Sequence, residues 1–459
     1  MTPPDLDTAA VTDAPSTGLG PNYRRLYTAT VISNLGDGVT AVGYPWIASA
    51  VTRNPVLIAV IAVAQRLPWL LFTLPAGVIT DRVDRRNLMV RMDVLRGLIT
   101  AGVAVAVLGL GSGLPDPDHL DQVVGTRMGL YLALVASALL LGCAEVLRDN
   151  SSQTILPAIV APEHLERANG RMWSAEMIAN TFVGPPLGSL LLAASFFLPF
   201  AVDAVSFFVA AGLVALLVGT FRARPADGQA AAEARPHWMT DLKEGVRWLW
   251  QHPLLRTLAI TLGLLNLVGA MQFATLVLFA QEVLRTSPVE FAILNTGGAI
   301  GGLAGAWAAS RITTRLGTGP SLALTLITGI AMPVIIGLTS WWPLVLVVFA
   351  IGMLVSMVWN VITVSLRQQI IPDHLLGRVN SVYRFFGWGM MPLGTALGGI
   401  VVWLAEPRWG RIDALRAPFF VSAAISLALA VVAVPKLTTE RIESARAAAQ
   451  GHRPGEPGA

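Results

Sequence analysis

Asp37, Glu145, Arg148, Glu176 and Arg384 are ionisable side chains inside stretches of apolar sequence long enough to cross a lipid bilayer. A charge near mid-membrane costs about 2.5–3.5 kcal/mol, so each needs an opposite charge or a water-filled cavity. A carboxyl so placed is suited to proton transfer: an arginine beside it favours the ionised form and desolvation the neutral one. Glu145 and Arg148 are three residues apart, share a helix face and can pair. Glu176 falls at a similar depth in the next apolar run, and two carboxylates near one arginine make a proton relay. Asp37 lies in Asn34-Leu-Gly-Asp-Gly38, where the glycines leave the backbone accessible. Arg384, beside Tyr383, can balance carboxylates across a cavity, contact an anionic substrate or snorkel to the surface. Asn34 and Asn360 are further polar candidates for a cavity lining. Asp203, near the end of its run, reads as a water-exposed helix-end carboxylate.

Enzyme chemistry has little to build on. There is one cysteine, Cys143, so no disulfide can form within the chain. The histidines fall near the ends of apolar runs, in loops or in the tail, with no HExxH or phosphate-loop pattern. No cofactor or metal is expected.

The elements that must position these residues are helices. The 459 residues are 54% hydrophobic and 13% charged, and the mean hydropathy is +0.63. Soluble domains carry about 25% charged residues, so a polytopic membrane protein is implied. Twelve runs approach the ~20 residues that a bilayer requires: 24–51, 55–81, 88–112, 128–158, 166–194, 198–221, 255–283, 288–312, 320–339, 343–370, 378–403 and 414–435. The net charge of +4 comes from basic residues in short loops, which fix topology rather than bind nucleic acid. Placing residue 24 inside puts most Lys and Arg on the cytoplasmic side. Both termini are then cytoplasmic, in a bacterial inner membrane.

Residues 1–22 and 438–459 read as disordered tails. Between them lie one half (23–221), a linker (222–254) and a second half (255–437). The linker ends in an amphipathic segment with Trp238, Leu242, Trp248 and Leu249 on its apolar side, expected in the interface plane. The halves repeat one another. Pro162-Glu-His-Leu165 matches Pro372-Asp-His-Leu375, Pro186-Leu-Gly188 matches Pro392-Leu-Gly394, and Asp203 falls opposite Ser422. Repeats around a midplane site are the plan of a secondary transporter.

The segment from Leu74 to Arg96 carries Asp81, Arg82, Asp84, Arg85, Arg86 and Arg91 in the short loop between two apolar runs. Its decapeptide Gly77-Val-Ile-Thr-Asp81-Arg82-Val-Asp84-Arg85-Arg86 resembles the signature between helices two and three of the major facilitator superfamily, roughly G-x-L-x-D-R-x-G-R-R. Asp84 stands where Gly is usual, as in the branch of drug/proton antiporters and enterobactin-type exporters. Gly184-Pro185-Pro186-Leu187-Gly188 is similar to the family's antiporter signature, with Ser189 in place of the last Gly.

The resemblance implies an all-α fold of twelve transmembrane helices in two pseudo-symmetric six-helix bundles. It also implies a cytoplasmic gate in which Gly77, Asp81, Arg82, Arg85 and Arg86 latch the halves, with Asp93 and Arg96 as partners. The expected function is export of small lipophilic molecules by proton antiport. The expected partners are a small-molecule substrate, protons and lipid, with the protein a monomer. An importer or facilitator of the same fold, and a non-transporting receptor or scaffold, are the alternatives.

Overall fold

In hydrocarbon a backbone must satisfy its own hydrogen bonds, which leaves the helix as the solution for long apolar runs. The computed structural model describes residues 19–117, 119–222 and 238–451, nearly all of them helical. The first half comprises α1 (Gly20–Val51), α2 (Pro55–Leu71), α3 (Thr73–Arg82), α4 (Arg85–Leu110), α5 (Met128–Ile159), α6 (Leu165–Met177), α7 (Gly184–Ala194) and α8 (Phe197–Ala215). A π-helical turn, Ile178–Val183, joins α6 to α7. After α9 (Trp238–Gln251) come α10 (Pro253–Ala274), α11 (Leu276–Glu282), α12 (Pro288–Leu316), α13 (Thr318–Leu338), α14 (Trp342–Ile370), α15 (Asp373–Ala433) and α16 (Thr439–Gly451). Among the described residues, eight helical segments are long and apolar enough to cross a membrane.

Local sequence sets the helix ends. The Asn54 side chain accepts hydrogen bonds from the amides of Val56 and Leu57, with Pro55 opening the first turn of α2. Ser287 and Glu290 form a reciprocal capping box ahead of α12. α15 contains 61 residues; a straight helix of that length would run roughly 90 Å. It breaks at Gly410, whose φ of 74° and ψ of 169° glycine tolerates best, so α15 supplies two membrane crossings.

Helices within each half approach to backbone contact through glycine. Gly297, Gly301 and Gly305 of α12 lie against the α14 backbone, and a Cβ on Gly301 would fall 1.9 Å from the Ala350 carbonyl oxygen. Gly301→Leu is therefore expected to lower the melting temperature and membrane yield sharply, since overpacking costs typically 1–3 kcal/mol even where side chains yield. Gly302→Ala is its control, because nothing lies within 4 Å of that position. Equal thermal stability of the two variants would contradict the packing.

Among the described residues, three hydrophobic cores organise the fold. One runs through both halves at the end that carries the α1–α2 loop, including Trp46, Val51, Leu130, Phe200, Leu278, Phe279 and Phe419. At the opposite end, which carries the start of α1 and the end of α15, the cores are separate. Tyr23, Leu26, Met89 and Ile155 belong to the first half, and Leu255, Leu366, Val379 and Ile442 to the second.

Two sequence expectations are corrected here. The tail expected to be disordered from 438 contains α16, whose Ile442 is buried and whose Thr439 hydroxyl accepts a hydrogen bond from the Gly319 amide. Polar composition hid one buried isoleucine and a tight glycine contact. The linker helix α9 packs on protein rather than lying free in the interface. Leu249 is fully buried, Gly245 abuts the Arg378 carbonyl, and Glu244 pairs with Arg378. The expected tail 1–22 falls mostly outside the described residues, as do the side chains of Trp238 and Leu242.

Candidate functional site

The first half encloses a cluster of charged side chains midway along its helices. α1 supplies Asp37, α4 supplies Asp93 and Arg96, α5 supplies Glu145, Arg148 and Asp149, and α8 supplies Asp203. Glycine makes the crowding possible. A Cβ on Gly36 would lie 2.3 Å from Asp203 Oδ1, and one on Gly38 would lie 2.8 Å from the Asn180 carbonyl. Gly184 and Gly188 of α7 meet Gly38 and Val39 in the same way. The two glycines flanking Asp37 thus press α1 against α8 on one side and against the π turn and α7 on the other.

Arg96 is the hub. Its Nη2 donates to both carboxylate oxygens of Asp37, at 2.7 and 2.9 Å. Its Nη1 donates to Asp93 Oδ1 at 3.4 Å and to Ser33 Oγ at 3.3 Å. The guanidinium lies 3.9 Å from the centroid of the Phe207 ring. Arg96 is 3% exposed and Asp93 0%, so neither charge is solvated. Charges taken out of water persist only where partners replace the lost hydration.

Arg148 extends the network. Its Nε lies 3.5 Å from Asp93 Oδ1 and its Nη1 3.6 Å from Asp149. Nη2 donates to Thr30 Oγ1 at 3.4 Å. Glu145 is within electrostatic reach of Asp149, Asp37, Arg96 and Arg66. Glu176 is exposed on α6 and within reach of Asp149, Arg148 and Asp37. The other oxygen of Asp93 is buried without a hydrogen-bond partner.

The structure redistributes several sequence-level pairings. Glu145 and Arg148 share α5, yet the ion pairs of Arg148 go to Asp93 and Asp149. Helix rotation turns the guanidinium inward, where Asp93 is the available carboxylate. Asp93 and Arg96, expected at the gate, instead lie within the bundle with Asp37. Asp203, read from sequence as water-exposed, is 2% exposed and held by hydroxyl groups. Its sequence signal was the i,i+3 Ser206 and the charge itself; what was lacking was the rotation of α8.

The remaining candidates do not join this cluster. Asn34 donates to its own helix at Thr30. Asn360 is exposed on α14 and donates to Ser356. Tyr383 is buried in the second half with the Arg367 guanidinium 4.0 Å from its ring centroid. The position corresponding to Asp203, Ser422, donates to the Val268 carbonyl, so the second half answers that carboxyl with a neutral hydroxyl.

The expected latch between the halves is likewise redrawn. Arg85 donates to the Thr154 carbonyl and Arg86 to the Leu217 carbonyl, both within the first half. Arg82 is exposed. Gly77 and the side chains of Asp81 and Arg384 fall outside those described. Asp84 caps α4 by accepting from the Asn87 amide at 3.0 Å, and its second oxygen accepts from the Phe221 amide at 2.9 Å. It therefore ties the loop to the chain leaving α8. Burial acts to raise its carboxyl pKa, but these amide bonds and Arg86 and Arg222 outweigh it and lower the value.

Asp84→Ala is expected to cost about 1 kcal/mol, the usual worth of an N-cap. A depressed folded-state pKa means that this stability is present above the usual carboxylate range. It is lost as pH falls through the lowered value. Melting curves of wild type and variant should separate at neutral pH and converge in acid; a gap independent of pH would contradict the assignment.

The opposite end of the molecule holds the halves together. Arg53 of the first half binds Glu282 and donates to Gln281 Oε1 at 2.6 Å. Gln281 donates to Ser49 Oγ at 2.8 Å. Arg411 grips Glu282 through Nε at 2.8 Å and Nη2 at 2.9 Å, and reaches the Arg53 carbonyl at 2.8 Å. Trp46 and Phe291 meet across the same junction, ring centroids 5.4 Å apart.

Known proteins resemble this chain. The chain is 29% identical over 422 residues to the multidrug efflux pump Tap of Mycolicibacterium fortuitum, covering 88% of this chain and 93% of that protein. It is 23% identical over 416 residues to the enterobactin exporter EntS of Shigella boydii serotype 4 (strain Sb227), covering 90% of each. Among solved structures, a bacterial homologue of the iron transporter ferroportin in its inward-facing state superposes with a TM-score of 0.66. It has 17% identity, over 90% of this chain and 98% of that one. A bacterial homologue of the lysosomal transporter Spinster gives 0.64 at 14% identity, over 95% and 98%. At such identities these likenesses speak to fold. The Major Facilitator Superfamily family model matches residues 26–395, and the protein, a multi-pass membrane protein, belongs to that superfamily.

Proposed function

We propose that the protein exports small, largely apolar molecules from the cell in exchange for protons, by alternating access between two six-helix halves. The observation that carries the reading is the composition of the cluster. The carboxyls of Asp37, Asp93, Glu145, Asp149 and Asp203, of which Asp93 and Asp203 are buried, lie around two guanidiniums, Arg96 and Arg148, with the exposed Glu176 within electrostatic reach. In a low-dielectric interior so many unmatched negative charges are untenable, and bound protons supply the missing positive charge. The relatives named as an efflux pump and an exporter support the outward direction.

The separate cores at the end that carries the start of α1 and the clamp around Glu282 support an inward-open arrangement, with both termini in the cytoplasm. In that state the cluster accepts substrate from the cytoplasm. Closing the cytoplasmic end would then bring the loop of Asp81, Arg82 and Arg86 onto the second half. Each pH unit across the membrane is worth about 1.4 kcal/mol per proton, enough to sustain a roughly tenfold substrate gradient.

The test is a susceptibility and accumulation screen of cells expressing the protein against lipophilic drugs and dyes. Export is expected to lower accumulation several-fold for at least one compound. Glu145→Gln should lose that effect while inserting normally. Higher accumulation on expression, or export untouched by collapse of the pH gradient, would refute the reading.

A further inference from the structure

Asp203 is held by two hydroxyls, Thr40 and Ser206. Its Oδ2 lies 3.2 Å from Thr40 Oγ1, which is also 3.2 Å from the carbonyls of Gly36 and Asp37. Its Oδ1 lies 3.3 Å from Ser206 Oγ, which is closer, at 2.8 Å, to the Asp203 carbonyl. Each hydroxyl has a single proton. Where those protons go to the backbone carbonyls, as serine and threonine in helices commonly direct them, the carboxyl must supply a proton of its own to hydrogen-bond either oxygen.

No guanidinium compensates Asp203 directly: among the described residues no salt bridge reaches it. The charged and titratable groups facing it are Asp37 and Tyr44 from α1 and Arg96 from α4. α7, which also packs on α8, contains no titratable residue. Arg96 has given both bonds of Nη2 to Asp37, while its planar face rests on Phe207, one helical turn from Asp203 on the same helix.

We propose that Asp203 binds the exchanged proton and that Arg96 alternates between Asp37 and Asp203, so that the proton and a substrate cation compete through one guanidinium. The proposal rests on the antiport reading and deepens it. In the state seen here Asp203 carries the proton and Arg96 neutralises Asp37, whose side chain is 28% exposed. A substrate bearing one positive charge takes the place of Arg96 on Asp37. The displaced guanidinium moves along the Phe207 face to Asp203, and the Asp203 O–H bond breaks to leave a carboxylate. The proton departs past Asp37 to the cytoplasm.

On the far side of the membrane the steps reverse. A proton from outside re-forms the Asp203 O–H bond, Arg96 returns to Asp37 and the substrate leaves. One positive charge enters the cluster for each that departs. The substrate class is accordingly lipophilic monocations, and the exchange is electroneutral.

Ethidium, a fluorescent lipophilic cation, serves as the probe, with the purified full-length protein in nanodiscs. Wild type is expected to release one proton per ethidium bound in unbuffered solution, and its affinity should rise about tenfold per pH unit over the range where Asp203 is protonated. Asp203→Asn should release none, bind ethidium with an affinity flat in pH, and lose proton-driven ethidium accumulation in proteoliposomes at least tenfold. Asp203→Glu should restore the pH slope. Size-exclusion profiles and residual ethidium binding establish that the Asn variant is folded, and if it is not, the wild-type and Glu measurements decide.

An Asp203→Asn variant that still releases a proton, or weaker binding with the wild-type pH slope, overturns the proposal and leaves antiport through another carboxyl standing. A wild-type protein that binds ethidium with no proton release overturns it as well. Failure of the antiport reading is separately visible as wild-type ethidium transport indifferent to the pH gradient.

Discussion

Arg96→Ala is expected to abolish transport and to lower stability by about 3–5 kcal/mol, the cost of removing one partner from a buried ion pair. The arginine touches Asp37, Asp93 and Ser33 and covers Phe207, so alanine leaves two carboxylates without their principal charge. Arg96→Lys should recover part of the stability and little of the transport. A point charge cannot reproduce the paired bonds to Asp37 or the planar contact with Phe207.

The double variant Arg96→Ala/Asp37→Asn separates charge from packing. Removing both charges should return stability toward wild type, a coupling visible in a double-mutant cycle of detergent melting curves. Transport should stay absent in the double variant, because charge relief does not rebuild the exchange site. Additive losses of stability would contradict the pairing on which the account depends.

Glu282 predicts the second large effect, at the opposite end of the molecule. Two arginines from different segments converge on this one carboxylate, and Arg53 brings the first half to it. Hydrogen bonds to charged groups are worth about 1.5–3 kcal/mol each. The side chains are 18–23% exposed here, so a discounted total of about 1.5–3 kcal/mol is the reasonable expectation. At 1.4 kcal/mol per decade, Glu282→Gln should shift the balance between the two access states by ten- to a hundredfold. Spin labels across the end that carries the start of α1 would read that shift as closure there.

The same junction has a defined acid sensitivity. Burial acts to raise the Glu282 carboxyl pKa, but hydrogen bonds and charge from Arg411 and Arg53 outweigh it and lower the value. The clamp therefore contributes fully above the usual carboxylate range and is lost as pH falls through the lowered value. Acid titration should release the wild-type clamp and leave Glu282→Gln unaffected. A distance distribution that is the same in both proteins at every pH would remove Glu282 from this role.

Much of the fold was legible because bilayer thickness constrains sequence so strongly. The apolar runs at 88–112 and 343–370 correspond to α4 at Arg85–Leu110 and α14 at Trp342–Ile370. Local interruptions were not legible. The break at Phe72 between α2 and α3, the break at Thr275 between α10 and α11, and the π turn at Ile178–Val183 carry no periodicity signal of their own. Prolines adjoin two of them, Pro68 and Pro75 at the first and Pro185 and Pro186 at the last, and mark a bend without fixing where the helix is interrupted.

The site was half legible for a related reason. Charges within apolar runs announce themselves by cost, which singled out Asp37, Glu145, Arg148 and Glu176. Partner choice depends on helix rotation, and rotation is set by packing. Arg96 and Asp93 were recognisable as an i,i+3 pair but not as the partners of Asp37, because they stand about two to three turns into α4, beyond the loop and inside the bundle. Asp203 was discounted for its nearness to a span end, while the depth of α8 within the bundle decides its burial. Asp84 looked like a departure from a motif, yet it caps α4 and holds Phe221.

The central claim is that the buried charge cluster converts a pH gradient into movement of a substrate. Everted membrane vesicles loaded with protons by respiration, with ethidium outside, test it in one measurement. Wild-type vesicles should accumulate ethidium until nigericin collapses the gradient, and Asp37→Asn vesicles with equal protein in the membrane should accumulate none. Accumulation at the wild-type rate by Asp37→Asn, or a wild-type rate unchanged by nigericin, would contradict the account.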